Sequence, residues 1–139
     1  MREIVLSDGV SKIVFDETED LSLTAAFVRC ARAFDGSLPA AEVRWGTLHS
    51  MGRFCSMYGC LVEKNGALNG IHIFVDQRLR DRRLELFVDL VLLHEMCHLR
   101  APEHDATFMK EYLRALQRLS WEPLVGKCVP NFQIADLEN

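Results

Sequence analysis

His94-Glu95-Met96-Cys97-His98 is the segment of this sequence whose residue types and spacing carry chemistry. Two histidines four apart on a helix lie one turn apart on the same face, so their imidazoles can converge on one cation. Glu95 is the next residue round from the first of them. Its carboxylate projects beside the metal axis and can reach a metal-bound water without displacing it. A catalytic zinc needs a third protein ligand and an open position. His104 fills that role: Leu99–Glu103 includes Pro102, which breaks the helix and turns the chain back, and His104 stands just before the next helical pattern. Asp105 reads as the cap of that helix rather than as a partner of the metal. The expected site is therefore Zn2+ on His94, His98 and His104, with Glu95 as general base and no other cofactor.

Three neutral imidazoles leave the zinc its full charge, which lowers the pKa of a bound water from ~16 toward ~7. Glu95 would accept a proton as that water attacks a polarised peptide carbonyl, then hand one to the leaving amine. The sequence does not place a further donor for the oxyanion; Tyr112 and an arginine are candidates. Two other readings share the ligands. A zinc-dependent endoribonuclease can have the same His-x3-His-x5-His spacing, but with glycine where this chain has Glu95. A non-catalytic zinc-binding protein would keep the metal without turnover.

These residues need elements to hold them. Residues 81–100 form the strongest helical pattern, with Leu84, Phe87, Val88, Val91, Leu92, Met96 and Leu99 continuing an apolar face that nearly encircles the helix. A central, buried helix follows, and imidazoles at its end would be costly there without a purpose. Asp105 starts a last helix running to about Leu119, with Phe108, Met109, Tyr112, Leu113 and Leu116 on its inner face. Residues 21–35 form a first helix along Leu23, Phe27, Cys30, Ala31 and Phe34, capped by Asp20 or Ser22 and ended by Gly36.

Strands are expected at residues 42–45, within 53–64 with a bend at Gly59 and a turn at Asn65-Gly66, and at 70–76. The strand at 71–75 is read as an edge to which an extended peptide could add. Residues 3–15 suggest a hairpin around Asp8-Gly9. The tail at 120–139, with Pro123, Gly126 and Pro130, is expected to be irregular.

Composition sets the remaining bounds. The chain has 139 residues, 49% apolar and 26% charged, with a net charge of −4. That fits one domain, 1–139, with a core of about 21–119. The charge offers no general attraction to nucleic acid or anionic membrane. No apolar run approaches a membrane span, and residues 1–12 lack a signal-peptide pattern, so a cytoplasmic location is the default expectation. The five cysteines form no CxxC pair and read as reduced, buried thiols; Cys55 and Cys60 are a weak pair for a second metal. His49 and His72 read as a loop and a strand residue. The arginine-rich run Asp76–Arg83 reads as a solvated helix start, with a phosphate or acidic partner as the sharper alternative.

From about Leu21 to Leu116 the chain resembles the SprT-like zinc metallopeptidases. The likeness lies in FDGSLP, EVRWG, MGRFCSMYG, GIHIFVDQRL, LFVDLVLLHEMCHL and HDATF, in that order. HDATF, with Phe108 four residues past His104, is also similar to the related WLM peptidases. The resemblance implies a zincin-like minimal metallopeptidase fold, with ligands at His94, His98 and His104 and the base at Glu95. It also implies a protein or peptide substrate, with DNA-associated or DNA-crosslinked proteins among the candidates. The chain departs from the pattern in its short loop between His98 and His104, and in Asp105, where glycine is common. The fold class expected is α+β: about three helices packed on a small, mainly antiparallel sheet, with the active-site helix central.

Overall fold

The computed structural model describes residues 2–6, 9–49, 58–62 and 68–119. Among them are five strands and three α-helices: β1 (Arg2–Val5), β2 (Lys12–Phe15), α1 (Leu21–Ala31), β3 (Ala41–His49), β4 (Gly59–Val62), β5 (Ile71–Asp76), α2 (Glu85–His98) and α3 (Ala106–Arg118). The class is α+β, with one mixed sheet ordered β1-β2-β3-β5-β4. Three of its pairings are antiparallel and one, β3 with β5, is parallel.

The hairpin expected at 3–15 is β1–β2, in register Arg2 with Phe15 and Val5 with Lys12. Gly9 takes φ 72°, a conformation that glycine adopts without a side-chain clash, and its N–H donates to the Leu6 carbonyl at 2.9 Å. Asp8 and the Asn65-Gly66 turn lie outside the described residues, as does the 120–139 tail.

One expectation is corrected by the topology. The strand at 71–75 is not an edge: β5 lies between β3 and β4. Positions 72–76 are all buried, as suits a strand covered on both faces and flanked on both sides. A peptide therefore has no open side of β5 to add to.

Alternation along the strands sends residues to two apolar layers. Val43, Ile73 and Val75 join the helices in the main core, together with Leu23, Leu92, Leu93, Met96, Phe108 and Leu116. Ile13, Phe15, Leu48, Cys60, Val62 and Phe74 form a second core on the other face, where the Phe15 and Phe74 rings sit 4.9 Å apart.

Helix α1 starts where Asp20 accepts from the Leu23 N–H at 3.1 Å. It ends at Ala31, earlier than its apolar stripe suggests. Ala33 and Phe34 continue as turns that donate back to Cys30 and Ala31, so Phe34 still reaches the core. The expected helix at 81–100 is likewise shorter. Two 3-10 turns, Gln77–Leu79 and Arg82–Leu84, precede α2, each begun by an aspartate side chain, Asp76 or Asp81, that accepts a backbone N–H. From Val88 to Cys97 every residue of α2 is buried, including Asp89, His94 and Glu95. A helix with no exposed face in its second half must be surrounded, and the sheet, α1 and α3 surround this one. Arg29 of α1 pins it through two short bonds, 2.6 and 2.7 Å, to the Asp89 carboxylate. No described helix is long and apolar enough to cross a membrane.

Candidate metal centre

The C-terminal end of α2 delivers two imidazoles, and the loop that leads into α3 delivers a third. His94 Nε2 lies 3.1 Å from His98 Nε2 and 3.2 Å from His104 Nε2. The three ligand atoms all fall within 4.8 Å of one another, a donor set able to hold a metal ion.

The loop that closes this cluster follows from local chemistry. After His98 the helix tightens: Leu99 donates to Met96, while Arg100 and Ala101 donate to Cys97. Pro102 has no N–H with which to continue. Asp105 then caps α3, accepting from the Phe108 N–H at 3.0 Å. It is the cap the sequence suggested, and it fixes the position from which His104 reaches back.

Two contacts orient the rings. His98 Nδ1 is 3.1 Å from the Ala101 carbonyl, which can only accept, so Nδ1 carries the proton and Nε2 presents a lone pair to the cluster. Phe108, fully buried, packs against all three imidazoles at centroid distances of 5.0, 4.8 and 4.9 Å. Its ring is the wall on which the cluster is built. In the sequence Phe108 shows only as an inner-face residue and as part of HDATF; its place among three imidazoles depends on how α3 crosses α2.

The cluster also poses a donor problem. His94 Nε2 has one proton or one lone pair, and it faces two other Nε2 atoms at hydrogen-bonding distance. A single N–H cannot point straight at both. A cation at the centre satisfies three lone pairs together. Burial keeps those lone pairs available. Desolvation pushes His94 down to about 2, with His98 and His104 adding to the shift. Desolvation also lowers His98, against the opposing bond to Ala101, and lowers His104.

Glu95 is 3% exposed, beside His94 on α2. Its side chain lies against β4, where Gly59 offers only backbone. By sequence Gly59 is a bend in a strand; the packing gives it a neighbour that no local pattern reveals. Tyr112, one candidate for an oxyanion donor, is fully buried and donates its hydroxyl to the Leu90 carbonyl at 3.4 Å, with its ring 6.1 Å from that of His94. It packs behind the cluster as a core residue.

The other candidates fall elsewhere. Cys97 is buried, and desolvation pushes its thiol up, as it does for Cys30. Cys60 is buried in the second core; Cys55 and Cys128 lie outside the described residues. His49 ends β3 rather than sitting in a loop. His72 is a buried strand residue whose Nε2 is 2.8 Å from the Asn69 carbonyl. In the run at 76–83, Arg78 pairs with Asp76 at 3.0 Å, Arg83 with Asp81 at 2.7 Å, and Arg80 with Asp20 at 3.0 Å. Those carboxylates answer most of the run's charge. A cavity of about 380 Å³ beside it is lined by Asp20, Arg29, Trp45, Arg80 and Glu85, at the start of α2 and far along the helix from the imidazoles.

No protein-family model matches the chain, and neither a curated protein nor a solved structure matches it.

Proposed function

We propose that this chain is a zinc-dependent endopeptidase of the minimal zincin-like kind, comparable to the SprT-like peptidases its motifs resemble. One observation carries the reading: three imidazole nitrogens converge at the end of a buried helix, with a buried glutamate at the adjoining position. Zinc suits the donor set. Zinc–nitrogen bonds of roughly 2.0–2.1 Å at tetrahedral angles put nitrogens about 3.3–3.4 Å apart. The two distances at His94 Nε2, 3.1 and 3.2 Å, lie within a few tenths of that.

Bound there, zinc would act as a Lewis acid on a substrate carbonyl and make a water acidic enough to lose a proton near neutral pH. The protein's own residues do the rest. His94, His98 and His104 stay neutral through burial and present nitrogen lone pairs. Phe108 and the Ala101 carbonyl fix the ring orientations. The Glu95 carboxylate takes the proton from the attacking water and returns one to the departing amine nitrogen. Glu95 also separates this reading from a ribonuclease with the same histidine spacing, which has glycine at that position. The proposed substrate is protein or peptide. Nothing in the net charge of −4 favours DNA-bound targets over others.

Metal analysis of the purified chain, with a casein-cleavage assay run with and without single-stranded DNA, tests the proposal. The parent is expected to hold one zinc and cleave. Glu95→Gln is expected to keep the zinc and lose at least about a hundredfold in kcat. A variant that cleaves as well as the parent would remove Glu95 from the mechanism. A zinc-loaded parent that degrades RNA and no protein would favour the ribonuclease.

A further inference from the structure

Gly59 opens β4 opposite Val75 of β5, and it is buried against α2. Its backbone gives no reason for a glycine: the described glycines with positive φ are Gly9, Gly36 and Gly70. A glycine in a strand weakens it, and close approach of another group is a common compensation. That approach is visible here. A β-carbon at position 59 would lie 2.5 Å from Val91 Cγ1, 3.2 Å from Glu95 Oε1 and 3.3 Å from Glu95 Cγ. Val91 and Glu95 are four apart and share one face of α2, so β4 lays its bare backbone along the face that carries the glutamate.

We infer that Gly59 is a positioning residue for Glu95: the missing side chain sets how closely the carboxylate tucks under β4, and hence where it stands relative to the imidazoles of His94, His98 and His104. The functional part of this inference rests on reading Glu95 as the base; the geometric part does not. Any side chain at 59 meets two neighbours, one apolar and structural, the other the carboxylate. The two effects separate because Val91→Ala removes Cγ1, the atom in the severe clash, and leaves the Glu95 contacts in place.

The experiment compares zinc-loaded Val91→Ala with Gly59→Ala/Val91→Ala, alongside Gly59→Ala alone. Gly59→Ala is expected to lower both melting temperature and kcat. In the double variant the added methyl occupies space left by the valine, so melting temperature and zinc content match those of Val91→Ala. Its kcat is nevertheless expected to stay about tenfold below Val91→Ala, with KM within about twofold, as for a displaced base rather than lost substrate binding. Equal kcat in the two would show that Gly59 serves only packing against Val91. Crystal structures of the same pair give a readout independent of turnover. A Glu95 carboxylate shifted relative to the imidazoles supports the inference, and one that has not moved overturns it. A parent that binds zinc and cleaves nothing would end the peptidase reading alone, leaving the carboxylate's position to decide the role of Gly59.

Discussion

The three histidines share an environment that keeps them uncharged. An imidazolium beside two others, in a site walled by Phe108, would lose hydration and gain repulsion, and both effects lower its pKa. The sign of the pH dependence follows. In the unfolded chain each histidine titrates near its ordinary value of 6.5, whereas in the fold His94 is pushed down to about 2 and the other two are lowered. Above 6.5 both states are neutral and the fold has its full stability. As pH falls below 6.5 the unfolded chain takes up protons that the fold refuses, so stability declines toward the folded values. The metal-free protein should therefore show a lower urea midpoint at pH 5.5 than at pH 7.5. A midpoint that rises on acidification would mean the imidazoles are charged in the fold. Metal affinity should fall in the same direction, because protons compete for the same lone pairs.

Two aspartate caps show how elements divide the labour. Asp105 begins α3 and so holds both Phe108 and the chain just after His104. Replacing it with alanine should cost about 1 kcal/mol of stability, and it should also weaken zinc binding roughly tenfold by loosening the third ligand. Asp20 begins α1 at a distance from the cluster, and its other oxygen accepts from Trp45 Nε1 and the Arg80 guanidinium at 3.1 and 3.0 Å. Asp20→Ala should cost about 1–2 kcal/mol and leave zinc affinity where it was. Chelator competition and thermal melts on the two variants check the contrast. Equal zinc affinity in both would mean that the α3 cap has no part in holding His104.

Across the whole molecule, the site joins two parts of the core. Helix α2 carries two of the three clustered histidines and the glutamate while buried among the sheet, α1 and α3; α3 carries the Phe108 wall and begins just after the third histidine. A metal that binds only when α2 and α3 are docked must stabilise that docking. Zinc at about a thousand times its dissociation constant should add roughly 4 kcal/mol to the unfolding free energy, read as a rise in melting temperature that EDTA reverses. Glu95→Gln should show the same rise, since it leaves all three imidazoles in place. A parent whose melting temperature ignores zinc would speak against a site completed by folding. The Arg29–Asp89 pair docks a different pair of elements, α1 against α2. Desolvation raises the Asp89 carboxyl despite its arginine, so the pair's worth lies in fixing α1 against α2 more than in net binding energy.

What could be read from the sequence is what short-range spacing controls. The histidines at i and i+4, the proline that stops α2, the aspartate that starts α3 and the glycine turn of the first hairpin all act within a few residues, so their geometry follows from helix pitch and turn sterics. Their convergence on one point was expected on that basis, and the three nitrogens do gather. Strand order was beyond such reasoning. The parallel pairing of β3 with β5, and the passage of β4 to the far side of β5, are long-range choices. The consecutive apolar residues Ile73, Phe74 and Val75 are the one local feature in keeping with an internal strand, and in the structure positions 72–76 are all buried. Gly59 beneath Glu95, Phe108 among the imidazoles and Tyr112 turned toward Leu90 likewise exist only once the helices cross the sheet. Local chemistry set the spacing of the three histidines; packing between distant segments decided what surrounds them, because burial and close approach belong to pairs of elements and not to any one stretch of chain.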